Sequence, residues 1–223
     1  MNLEYDIIYS ERRTISVTVE RDCRVVVRAP KKAPLQAVAA AVEQKKFWIW
    51  SKLRDARKYR QPRPRKEFVA GEAFLFLGQS FRLQLVSEPR GEVRFDGDSF
   101  ELSREDLRKA RQLFVEWYRA EAKVHLKPRA ESMARAMGIA AKRITVREMT
   151  SRWGSCSPGG TLTFNWRIVQ APIGVVDYLI AHELAHVIEP NHAPEFWNIV
   201  AVHVPAWEKA RGWLRHHGGR LEW

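Results

Sequence analysis

The sequence predicts an α+β protein, with a β-rich N-terminal region that contains a helix, followed by a region in which a helix lies beside a small sheet. Two observations favour this class. Alternating and β-branched segments such as TISVTVE and RVVVRAP come first and are typical of strands. Helical periodicity dominates later segments, and 45% hydrophobic residues in 223 are enough for a folded core.

The first half of the chain predicts strands, a helix, a connector and two hairpins, in that order. Residues 3–28 are expected to form short strands, and residues 33–59 an amphipathic helix. The segment RKYRQPRPRK, residues 57–66, has six positive charges and two prolines, which predict a helix end and an extended connector. FLFLGQSFRLQLV and EVRFDGDSFELS predict hairpins that turn at Gly78-Gln79 and Asp96-Gly97.

The second half predicts a long helix, a small sheet and a further helix. The long helix is expected from Ser103 to Met137, with Gly138 as its C-terminal cap. Strand-like ITVREM and a hairpin around residues 158–160 follow. We place the domain boundary near residue 100, which gives an N-terminal α+β region at 1–100 and a second domain at 101–223.

The formal net charge of +12 is unevenly distributed. Residues 151–223 carry six basic and six acidic side chains, so the whole excess lies in the first 150 residues. The basic N-terminal half, with its connector at 57–66, could bind phosphates without sequence specificity, which makes non-specific nucleic acid a candidate partner. A solvated basic surface explains the same composition.

The N-terminus and the two cysteines predict a cytoplasmic protein. The first residues lack the basic start and apolar core of a signal peptide, and no apolar run approaches the roughly 18 residues of a membrane span. Cys23 and Cys156 are far apart and form no pair motif, which favours reduced thiols. We therefore expect no membrane partner.

The segment HELAH, residues 182–186, predicts a metal site. Residues four apart share one face of a helix, so His182 and His186 can bind the same ion. Glu183 lies at the edge of that face, where it can take a proton from water that the metal acidifies. The alternative is a core helix whose two histidines are satisfied by hydrogen bonds.

The residues after this helix predict a third ligand. Glu189-Pro190-Asn191 should end the helix and turn the chain back, because proline cannot continue a helix and asparagine tolerates a left-handed turn. His192 would then reach the metal. Glu189 is too close to the helix to be a comfortable third ligand, and Glu195 and Glu208 are the other candidates for that position.

HELAHVIEPNHAPEFW, preceded by SRWGSCSPGGTLTFNWRIVQAP, resembles the YgjP-like family of zinc metallopeptidases, which is grouped with the SprT-like proteases. The resemblance extends to FLFLGQSFRLQLV and the long helix, so it covers most of the chain. It implies a zincin-like metallopeptidase domain in residues 101–223 that binds one Zn²⁺ per chain and acts on a peptide or protein. It also implies His182, His186 and His192 as ligands and Glu183 as the general base.

The hairpin before the metal helix contains candidate substrate-binding residues. An extended peptide can pair with a sheet edge beside the metal, and residues 153–156 could form that edge. A hairpin that packs its tryptophans into the core is the alternative. The candidates for substrate contact are Arg152, Trp153, Gly154, Ser155, Asn165 and Arg167.

Two further roles and two other functions stay open at this point. His203 and Tyr178 are candidates for stabilising the transition state, while Cys156 is best explained as a small half-buried thiol. Hydrolysis of a nucleotide to release pyrophosphate would use the same metal. A nucleic-acid-binding module with a structural zinc would normally close all four metal positions.

Overall fold

A computed structural model describes residues 3–20, 23–58 and 65–223. The chain forms two compact units, Met1–Gln61 and Pro62–Trp223. Six α-helices and three small sheets occur in these described residues, which confirms the α+β class. Most of the basic connector predicted at 57–66 lies outside them, so its predicted nucleic-acid contact stays a prediction.

The first unit contains a three-stranded sheet and two helices. Its strands are β1 (Asp6–Ser10), β2 (Ser16–Val19) and β3 (Val25–Pro30), with β3 in the centre, parallel to β1 and antiparallel to β2. The sequence predicted a single helix here, but the structure has two, α1 (Leu35–Gln44) and α2 (Lys46–Lys58). They are separated because Lys45 leaves the helical conformation, with ψ at 8°. Val27, Val38 and Ile49 are fully buried in its core.

The second unit begins with a four-stranded sheet. The strands are β4 (Ala73–Phe76), β5 (Gln79–Val86), β6 (Arg94–Phe95) and β7 (Ser99–Ser103), in the order β4-β5-β7-β6. Phe76 pairs with Gln79, so the first turn consists of Leu77 and Gly78, one residue earlier than predicted. Both turn residues have positive φ, 48° and 85°, as a two-residue hairpin turn of this kind requires.

The long helix α3 (Ala110–Ala136) follows a 3-10 helix at Arg104–Lys109. The sequence predicts one continuous helix from Ser103, but the first turns have the tighter 3-10 geometry, with Ser103 accepting a hydrogen bond from the Glu105 amide. Gly138, with φ at 67°, ends the helix as predicted, and its amide donates to the Arg135 carbonyl.

The structure places the unit boundary after Gln61, whereas the sequence analysis placed it near residue 100. Phe74 of the first hairpin stacks on Phe114 of α3, with ring centroids 4.1 Å apart. The Tyr118 hydroxyl donates to the Leu75 carbonyl at 2.6 Å. The hairpins therefore share one core with the helices that follow, because their aromatic side chains have α3 as their packing surface.

A second sheet and three helices complete this unit. Strands β8 (Arg143–Arg147), β9 (Gly154–Cys156) and β10 (Thr161–Asn165) are ordered β8-β10-β9, with β10 parallel to β8 and antiparallel to β9. Helices α4 (Ile173–Ile188), α5 (Pro194–His203) and α6 (Trp207–His217) follow, and α4 packs against β9, α5 and α6. In the described part of the chain, no helix combines the length and apolarity needed to cross a membrane.

Candidate metal centre

Three histidines converge at the C-terminal half of α4. His182 and His186 lie one turn apart on this helix, and His192 follows its end. One ring nitrogen from each lies within 4.8 Å of the others. The structure thus brings together the three residues that the sequence predicted as ligands. Glu195 and Glu208, the alternative third ligands, are not part of this cluster of described residues.

The turn after α4 delivers His192 and also orients His186. Glu189 leaves the helix with an extended backbone, φ −124° and ψ 106°, as expected for a residue before proline. Its carboxylate accepts a hydrogen bond from the Asn191 amide at 2.9 Å. The Glu189 carbonyl lies 3.2 Å from Nδ1 of His186, which must be the donor because a carbonyl only accepts. Nε2 of His186 is then left with its lone pair for a metal.

The spacing of the ring nitrogens suits a tetrahedral ion. Nε2 of His182 and Nε2 of His192 are 3.2 Å apart. Two imidazole nitrogens bound to one zinc at tetrahedral angles would be about 3.3 Å apart. A hydrogen bond between two imidazoles has a similar length, but it leaves the position of the third ring unexplained. The donor set of three imidazoles therefore fits a zinc ion.

His182 is neutral near pH 7. Burial lowers the pKa of its imidazole to about 3, and the neighbouring rings of His186 and His192 add to this effect. A neutral imidazole can bind a metal without first losing a proton. The ring is held by aromatic packing: its centroid lies 4.9 Å from that of Phe196 and 5.8 Å from that of Tyr178.

Glu183 faces β9 and is almost fully buried, with 5% of its surface exposed. Burial raises the pKa of its carboxyl to about 7, while the charge of Arg152 and a hydrogen bond from the Cys156 amide act in the opposite direction. Gly154 makes room for this side chain, because a Cβ at that position would lie 2.5 Å from Oε1 of Glu183. The absence of a side chain at Gly154 thus allows a buried carboxylate beside the histidines.

An open pocket of about 320 Å³ lies beside His182 and Glu183. Besides these two, it contains three further residues that the sequence predicted for the site, Trp153, Gly154 and Tyr178, and two arginines that it did not predict. The lining residues are Trp153, Gly154, Tyr178, Leu179, His182, Glu183, Arg211, Leu214 and Arg215. Arg211 and Arg215 are four apart on α6, a spacing that predicts a shared helix face but not what that face contacts.

Two predicted substrate-binding residues have their polar groups engaged within the fold. The Asn165 amide donates to the carbonyls of Met149 and Arg152, at 2.8 and 3.3 Å. The Arg167 guanidinium pairs with Glu148 at 2.8 Å and lies over the ring of Trp166. Neither residue lines the pocket, and together they hold the loop that leads into β9.

The remaining candidates differ in how close they lie to the cluster. Arg152 is exposed and acts on Glu183 through its charge, while Ser155 lies in β9 opposite Thr163. Burial raises the pKa of the Cys156 thiol, and the charge of Glu183 raises it further. Tyr178 packs against the His182 ring and lines the pocket, whereas His203 is not among the described residues that line it.

Comparison with known proteins assigns a family. A family model described as YgjP-like, metallopeptidase domain, matches residues 13–217. No curated protein matches the chain. Among solved structures, the crystal structure of the metallopeptidase zymogen of Pyrococcus abyssi abylysin is similar, with 22% identity, a TM-score of 0.35, and coverage of 39% of this chain and 86% of that one. The family match includes the histidine cluster and nearly the whole sequence, and this chain belongs to the YgjP-like metallopeptidase family.

Proposed function

We propose that the chain is a zinc-dependent metallopeptidase in which His182, His186 and His192 hold the ion and Glu183 is the general base. The observation that supports this most strongly is the convergence of three imidazoles beside a buried carboxylate, with His182 and Glu183 lining an open pocket. The family supports peptide as the substrate class. Three protein ligands leave one tetrahedral position open, which is typical of catalytic rather than structural zinc.

Glu183 would carry the proton transfers. Zinc bound to the three imidazoles would polarise the scissile carbonyl and acidify water. Glu183 would accept a proton from the attacking water and return it to the leaving amine. In the metal-free protein, burial raises the pKa of this carboxyl to about 7; the charge of a bound zinc would lower it and favour the carboxylate that accepts the proton. Gly154 and the Cys156 amide would keep the carboxylate in place on the β9 side.

The edge of β9 is the proposed substrate-binding strand. Among the described residues, β9 pairs with β10 on one side and with no strand on the other. An extended peptide can add to such an edge through backbone hydrogen bonds. Trp153 and Gly154, which line the pocket, are assigned to substrate contact, and Arg152 and Ser155 stay predictions.

Tyr178 is the proposed stabiliser of the transition state. Burial raises the pKa of its phenol to about 12, so the hydroxyl keeps its proton and can donate a hydrogen bond. It lines the same pocket as Glu183. A donor there would stabilise the negative charge that develops on the carbonyl oxygen. His203 lacks this placement.

A substrate panel tests the proposal. Zinc-loaded wild type and Glu183→Gln would be incubated with peptides, denatured proteins and nucleoside triphosphates, each with and without DNA. We expect cleavage of peptides or denatured proteins by wild type alone. Pyrophosphate release without peptide cleavage would replace the proposal with nucleotide hydrolysis. Equal cleavage by both proteins would assign the activity to a contaminant and refute the proposal.

A further inference from the structure

The pocket beside the candidate metal centre has a basic wall formed by one helix. Arg211 and Arg215 lie four residues apart on α6 and line the pocket together with His182 and Glu183. Glu183 is the one acidic residue in this lining. Because residues 151–223 are neutral overall, the two cations at this wall are a local concentration of charge.

Arg211 is held in position by an aromatic surface. Its guanidinium lies 4.7 Å from the centroid of the Trp197 ring, which in turn stacks on Trp207 at 4.3 Å. A planar guanidinium stacked in this way keeps its N–H edge for ligands. Within the described residues, Arg211 forms no ion pair with a carboxylate, so an acidic ligand would not have to displace one.

We propose that Arg211 and Arg215 form a subsite for a substrate carboxylate beside the metal centre, an inference that rests on the proposed peptidase function. A guanidinium can bind a carboxylate with two parallel N–H donors, which is a directional and charge-assisted contact. In a peptide, that carboxylate belongs either to an acidic side chain or to the C-terminus. The subsite would select acidic or C-terminal substrates over neutral internal ones.

The test compares four versions of one cleavable peptide. They carry Glu or Gln next to the scissile bond, each with a free or amidated C-terminus. For wild type we expect kcat/KM about tenfold higher for one carboxylate version than for its neutral partner, the size of one charge-assisted hydrogen bond. The Glu–Gln pair and the acid–amide pair separate the two sources of the carboxylate.

Variants on α6 connect this preference to the subsite. The quantity compared is the ratio of kcat/KM for the carboxylate peptide to kcat/KM for its neutral partner, measured on each variant. Arg211→Gln and Arg215→Gln should each lower this ratio towards one, and Arg211→Lys should retain part of the preference because the charge remains. Lys209→Gln is the matched control, since it removes an exposed charge from the same helix outside the pocket and should keep the full ratio. Equal rates for all four peptides, or an unchanged ratio in both arginine variants, would overturn the subsite.

A binding measurement separates this inference from the proposed activity. Calorimetric titration of zinc-loaded Glu183→Gln with the same four peptides should show about tenfold tighter binding of the carboxylate version. Arg211→Gln in that background should lose the difference. Absence of cleavage would refute the peptidase proposal and leave this titration to decide the subsite. Cleavage with no dependence on the carboxylate in either assay would refute the subsite alone.

Discussion

Gly154→Ala should greatly reduce the activity of the protein while leaving it folded. The three atoms nearest to a Cβ at this position are Oε1, Cγ and Cδ of Glu183, at 2.5, 2.7 and 2.8 Å. Non-bonded carbon atoms prefer about 3.5–4.0 Å, so the Glu183 carboxyl group must move by roughly 1 Å. The side chain moves more readily than β9, because β9 is held by its pairing with β10.

The expected loss follows from that displacement. A misplacement of about 1 Å at a catalytic group costs on the order of 100-fold, which corresponds to about 2.7 kcal/mol in the activation free energy. The thermal midpoint should change by less than about 4 °C, because a Gly→Ala change in a strand also reduces the entropy of the unfolded chain. The assay is kcat/KM of the zinc-loaded protein on its best peptide, with a melting curve of the same sample.

Gly174→Ala is the matched control for this change. It lies in the first turn of α4, and a Cβ there would meet no atom within 4 Å. We expect kcat/KM within about twofold of wild type and a stability gain of at most about 1 kcal/mol. Wild-type activity in Gly154→Ala would refute the placement of Glu183. A midpoint lowered by more than about 10 °C would show that the strand, and not Glu183, moves.

Three further predictions concern stability. Gly78→Ala should lower the free energy of unfolding by about 2 kcal/mol or more in calorimetry, because φ is +85° and the new Cβ would lie 2.7 Å from Cα of Pro172. Asn165→Ala should cost about 2 kcal/mol in urea denaturation, since its buried amide donates two hydrogen bonds. In the metal-free protein, the pKa of Glu183 is raised from 4.5 to about 7, so its stabilising contribution is full below about pH 4.5 and is lost as the pH rises through 7. Glu183→Gln should therefore exceed wild type in stability by a few kcal/mol at pH 8, with the gap closing below pH 4.5; a gap that does not change with pH would contradict this.

The convergence of the three histidines was predictable because it depends on local rules. A spacing of four residues places His182 and His186 on one face of the helix. Pro190 ends the helix through its own backbone chemistry, independent of tertiary contacts. Only the direction of the chain after the proline needed tertiary structure. The hydrogen bonds that Glu189 accepts from the Asn191 amide and from His186 account for that direction.

The basic wall and the role of Gly154 were not predictable from local patterns. Arg211 and Arg215 reach the pocket because α6 packs back onto α4, a long-range contact with no local sequence signal. Gly154 meets Glu183 because β9 packs on α4, which requires knowledge of the hairpin's register and position. The boundary predicted near residue 100 differs from the division into compact units for a related reason, since the partner of Phe74 is 40 residues away in α3.

X-ray absorption of the zinc-loaded protein tests the proposed metal centre most directly. We expect one zinc per chain with three imidazole ligands at about 2.0–2.1 Å and no sulfur ligand. His192→Ala should lose one imidazole from the spectrum. Fewer than three imidazoles in wild type, a sulfur ligand from Cys156, or zinc well below one per chain would contradict the proposed centre.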